Sequence, residues 1–114
     1  MAEQEEVYLL LVETGRTAED GLPEGAVGAG VLCHAPGRDE ADAVNETVSL
    51  LRSAGLAPLD VTSYGTAEER RAAGEAVAAE DQAFIDQARA QNAVIVVAIT
   101  PFFDGDETAD MPVV

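Results

Sequence analysis

At 114 residues the chain has room for one domain with a core and not for a second independent one. Its apolar fraction of 47% suits a folded globule, and no apolar run approaches the ~20 residues of a membrane-crossing helix. The charge is unusual: 22 acidic side chains face 6 basic ones, all arginine, for a net −16 that repels phosphate backbones and anionic lipid.

Nucleic-acid and membrane-surface roles therefore drop out, and the absence of lysine removes Schiff-base catalysis and a phosphate-loop lysine. Three readings of the acidity stay open: a solvated surface, a docking face for a basic partner, or a nucleic-acid mimic. The last is the weakest, because the acids are spread along the chain and form no dense block.

The chain opens on a polar stretch, Met1–Glu6, expected to fray. It places acids where a secretory signal needs Lys or Arg, and a single cysteine, Cys33, allows no intramolecular disulfide. Both point to a cytoplasmic protein. Val7–Val12, VYLLLV, reads as a strand apolar on both faces. Glu13–Gly25 is rich in glycine and charge and reads as a loop, the segment expected to move most.

Ala26–Ala35 predicts a second strand, with Val27, Ala29, Val31 and Cys33 on the core face and Gly28, Gly30, Leu32 and His34 opposite. The glycines leave room for something to approach closely. Arg38–Ala54 has helical spacing, with Ala41, Val44, Val48 and Leu51 on one face, Asp39 as N-cap and Gly55 as the left-handed stop. Leu59–Tyr64 alternates polar and apolar as an edge strand does. Thr66–Glu69 spells a capping box. The helical region after it has a broken apolar stripe, predicting two pieces that meet near Ala79–Gln82.

Ala93–Thr100, AVIVVAIT, is an uninterrupted apolar run ended by Pro101, as expected of a strand buried on both faces. The globular domain is expected over 1–103, with an acidic, mobile tail over 104–114. No repeat or low-complexity tract stands out.

This order, ββαβαβ, predicts an α/β (α+β) open-faced two-layer sandwich with a four-stranded mixed sheet. It is only loosely ferredoxin-like, since the strict split order would be βαββαβ. The two strongly apolar strands should lie side by side in the middle. If the helices cover mainly one face, the second helical region or a second copy of the chain must cover the other, and a homodimer is the favoured expectation.

No strong site motif appears. Cys33 and His34 are strand neighbours that point to opposite faces, so they cannot act as nucleophile and base. Cys33 reads as a small core hydrophobe. His34 shares a face with the glycines, near where Asp60 and Tyr64 would lie. A pocket of His34, Asp60, Tyr64 and Tyr8 would suit general acid–base chemistry, against a plain strand-end histidine.

One histidine and one cysteine make a poor zinc set, and Asp104–Asp110 lacks the spacing of a calcium loop. Gly25, Gly28 and Gly30 spell GxxGxG, which is not the dinucleotide fingerprint. Pro36-Gly37-Arg38 precedes a helix, but Asp39, Glu40 and Asp42 compete with any anion there. No metal or cofactor is expected. The chain reads as a non-enzymatic interaction or regulatory module, homodimeric through its sheet face. A small enzyme or ligand-binding domain with a pocket beside His34 is the alternative.

Overall fold

Two strands joined by a loop form the centre of the sheet. β1 (Glu6–Gly15) pairs antiparallel with β2 (Ala26–Gly37) in an unbroken register from Glu6 opposite Gly37 to Thr14 opposite Ala29. The computed structural model describes residues 6–103. Residues 1–5 and the acidic stretch 104–114, read above as frayed and mobile, lie outside the described residues.

Helix α1 (Glu40–Ser53) follows β2 and leads to β3 (Ala57–Thr66), which returns antiparallel to β1 on its free side. Helices α2 (Ala67–Ala72) and α3 (Ala79–Gln91) then lead to β4 (Ile95–Phe103), antiparallel to β2. The strand order is β3-β1-β2-β4. The result is an α+β protein with an open four-stranded sheet and three helices.

Several expectations are corrected here. Every neighbouring pair is antiparallel, so the sheet is not mixed, and its order is not the ferredoxin-like one. The two apolar strands are not adjacent either: β1 is central, whereas β4 is an edge. The central pair is taken by β1 and β2, the strands joined by the short loop, and this leaves β4 beside β2. At the edge β4 is not buried on both faces, and Val96, Ile99 and Phe102 are exposed. Its position also explains why Pro101 continues the strand instead of ending it, since edge strands tolerate proline.

Directly opposed residues share a face. Tyr8, Leu10, Val12 and Thr14 of β1 therefore lie with Ala35, Cys33, Val31 and Ala29 of β2. All of these are buried, and Ala43, Leu51 and Leu56 complete the core on that face, beneath α1. Burying each of the larger ones is worth about 1.5–3 kcal/mol.

The buried stripe of α1 is Ala43, Thr47 and Leu51, not the expected Ala41, Val44, Val48 and Leu51. Ala41 is exposed and the two valines are half-buried. Thr47 can be buried because its hydroxyl donates to the Ala43 carbonyl at 2.9 Å. The stripe has rotated by about one residue because a threonine satisfied within its own helix counts as apolar.

The helix ends follow the sequence closely. Asp39 Oδ1 accepts from the Asp42 amide at 2.9 Å, and Gly55 takes φ +91°. Thr66 and Glu69 form the reciprocal capping box, and Gly74, at φ +93°, separates α2 from α3. The loop after β1 is well tied. Asp20 accepts from Arg16 and from the amides of Thr17 and Leu22, while the Thr17 hydroxyl donates to the Gly55 carbonyl.

The helices do not share one side. Val7 packs with Ala67, Ile85 and Ala88, and His34 stacks on Phe84 with ring centroids 6.0 Å apart. Those positions belong to the face opposite Cys33, so α2 and α3 cross to the second face and cover its Val7–His34–Ile95 end. The other end of that face is open.

Candidate functional site

The four residues singled out from the sequence do not converge. Tyr8 opposes Ala35 and packs with Leu10 and Ala43 on the α1 face. Burial chiefly raises its hydroxyl pKa, with smaller contributions from acids such as Glu6 and Glu69. Asp60 opposes Glu13, and Glu13 opposes Gly30, so Asp60 and His34 do share the second face. They are nonetheless two strands and four residues apart, about 16 Å at ordinary strand spacing and rise. The spread arises because β3 joins the sheet beside β1, which comes between it and β2. Tyr64 is half-exposed near the end of β3, at an irregularity in the pairing.

His34 is not solvated. It is 1% exposed beneath Phe84, and burial lowers its pKa, partly offset by the Asp81 carboxylate and reinforced by Arg70. The imidazole is neutral at pH 7. Among the described residues its Nδ1 meets no hydrogen-bond partner. The same holds for Nε and one terminal nitrogen of Arg70, a side chain only 7% exposed. Buried polar groups are normally satisfied, and a buried cation without a counter-charge costs several kcal/mol.

Arg70 was not singled out from the sequence. Its position three residues after Ala67 was the available signal, since that spacing puts both on one helix face. Ala67 is the residue that faces Val7.

The open end of the second face carries Leu9, Leu11 and Leu32 half-buried, and Phe102. The room expected at the glycines is taken up by the chain itself. A Cβ on Gly30 would lie 3.2 Å from the Phe102 ring and 3.4 Å from Leu11 Cδ1, so side chains from both neighbouring strands close over β2 at this glycine. A Cβ on Gly28 would collide with the Thr14 carbonyl oxygen. Leu59, at the pairing irregularity opposite Glu13–Thr14, is 72% exposed with its methyls beside Gly15.

A cavity of about 320 Å³ opens elsewhere, between α1 and the approach to β4, lined by Pro36, Asp42, Glu46, Leu50, Asn92 and Val94. Asp42 is partly engaged there, accepting from the Arg38 amide at 3.0 Å, which lowers its pKa. Among the described residues, no three His, Cys, Asp or Glu side chains are grouped as a metal site, and no helix is long and apolar enough to cross a membrane.

A family model described as Domain of unknown function (DUF8846) matches residues 7–103. No curated protein and no solved structure matches the chain.

Proposed function

The chain belongs to the family Domain of unknown function (DUF8846), and we propose that this member is a non-enzymatic interaction or regulatory module working as a homodimer through the open end of its second sheet face. The observation that carries the reading is the apolar surface of Leu9, Leu11, Leu32 and Phe102 that α3 leaves uncovered. About a two-fold axis the same apolar patch of both copies would meet, Phe102 and the leucines of one against those of the other.

Its size sets the strength. Four strands ~4.8 Å apart, open over about five residues of ~3.4 Å rise, offer roughly 300 Å² per copy. That is well below the ~800 Å² per partner of a stable interface, so the pairing is weak and concentration-dependent. The remote placement of His34, Asp60, Tyr64 and Tyr8 supports the non-enzymatic side of the proposal. A free, buried Cys33 suits a reducing, cytoplasmic compartment.

Sedimentation velocity across a concentration series tests the dimer. The sedimentation coefficient should rise with concentration in the native chain and stay at the monomer value in Phe102→Ser. A native chain that remains monomeric into the millimolar range would remove the reading.

A second reading rests on the 320 Å³ cavity, where the acids Asp42 and Glu46 line the walls together with the apolar Leu50 and Val94 and suit the Lys or Arg side chain of a basic partner. Titration with a short oligolysine should perturb the Glu46 and Asn92 resonances at low salt and lose the effect at high salt. Shifts spread evenly over the acidic surface would count against it.

A further inference from the structure

The most anomalous chemistry lies in the seam where α2 and α3 meet the second sheet face. Val7 and Ala67 bring α2 to β1, while Ile85 and Ile95 bring α3 to β4. His34 opposes Ile95 on β2, and Arg70 is one helical turn beyond Ala67. Both polar side chains are thus held against one apolar cluster, and the charge of Arg70 is felt at His34. Each is more than nine-tenths buried, and each keeps buried nitrogen without a partner, Nδ1 of His34 and Nε and Nη2 of Arg70. Two donors of a guanidinium and one ring nitrogen therefore lack partners in the same seam.

We propose that Arg70 and His34 form a binding site for one carboxylate group of a small monocarboxylate. The guanidinium supplies a pair of N–H donors in the fork geometry that matches two carboxylate oxygens. The Nδ1–H tautomer of His34 supplies a further donor. The choice of a monoanion follows from the charges that face the seam. Arg70 contributes one positive charge, the imidazole is neutral, and Asp81 of α3 is the acid whose charge reaches His34. A dianion such as phosphate would leave a negative charge uncompensated in apolar surroundings of Val7, Ile85, Phe84 and Ile95. The strongly negative surface slows entry of any anion, so affinity is modest and strengthens with inert salt.

Titration of the intact, isotope-labelled chain with sodium acetate, read at the Arg70 Nε–H and His34 ring resonances, tests the site. Sodium chloride at equal ionic strength and phosphate serve as comparisons. Acetate should give saturable shifts confined to the seam, and chloride should not. Arg70→Met should abolish saturation. Arg70→Lys, which keeps the charge but loses the fork, should bind at least about tenfold more weakly and covers the case in which the methionine variant does not fold. Absence of saturable shifts in the native chain, or the same saturation with chloride or in Arg70→Lys, would overturn the proposal. Tighter binding of phosphate than of acetate would overturn the assignment to a monocarboxylate.

Discussion

Asp20 holds the loop between β1 and β2 by receiving three donors at once, from the Arg16 side chain at 2.7 Å, the Thr17 amide at 2.8 Å and the Leu22 amide at 2.9 Å. Its side chain is 2% exposed, while that of Arg16 is 34% exposed. The Arg16 bond, then those of Leu22 and Thr17, lower its pKa to about 2. Because the folded value is below the unfolded one, the stabilisation is complete above about pH 4 and is lost as pH falls toward 2. A carboxyl-carbon NMR titration should place the Asp20 midpoint near 2, and Asp20→Asn should lower Tm at pH 7 while approaching the native chain near pH 2. A midpoint close to 4 would mean that the three donors do not hold it. Cys33 shows the opposite effect. Burial alone raises its pKa to about 12, so the native thiol should resist alkylation at pH 8 and react once the chain is unfolded. This residue was legible from its place between Val31 and Ala35. The Asp20 clasp was not, because a loop rich in glycine and acids looks the same whether or not one carboxylate gathers its amides.

At the scale of the element, the local rules are strongest where one side chain settles the geometry. The Thr66 hydroxyl accepts from the Glu69 amide at 3.1 Å, and Glu69 Oε1 accepts from the Thr66 amide at 2.9 Å. Thr66→Ala should therefore cost about 1 kcal/mol in urea denaturation, and Glu69→Ala should lose a similar part of the same box. Caps and the left-handed Gly55 were readable because each depends on residues within four positions, whereas the break expected near Ala79–Gln82 falls earlier, between Ala72 and Ala79. Pairing was not. The alternation of Ala26–Ala35 placed Cys33 and His34 on opposite faces but did not reveal that Gly28 abuts the backbone of β1. A Cβ there would collide with the Thr14 carbonyl, so Gly28→Ala should destabilise by about 1–3 kcal/mol, with Gly21→Ala, whose Cβ meets nothing, as a control for loop strain alone. The apolar run of β4 misled for a related reason. Val and Ile favour strands wherever they occur, and composition does not distinguish a central strand from an edge half-covered by its neighbours. The candidate site was lost at the same step, since β1 comes between His34 and the residues of β3.

For the whole molecule, charge and association are one problem. With 22 acids and 6 arginines in 114 residues, compaction brings like charges together, and the native state carries more self-repulsion than the unfolded chain. Added salt shortens the screening length from ~10 Å at 0.1 M to ~3 Å at 1 M and relieves that repulsion. The Arg16–Asp20 and Arg38–Asp42 pairs weaken under the same conditions, but two ion pairs are few against a net charge of −16. Tm should therefore rise with sodium chloride from low to molar concentration. Pairing two copies through the second sheet face doubles the charge in one particle, with the apolar contact unchanged, so the dimer should also tighten over the same range. Phe102→Ser separates the two effects: its Tm should rise with salt as in the native chain, and its sedimentation coefficient should not. A Tm that is flat or falls with salt would show that the acids are already compensated in the fold. A dimer that loosens with salt would mean that charge pairs, and not Leu9, Leu11, Leu32 and Phe102, hold the copies together.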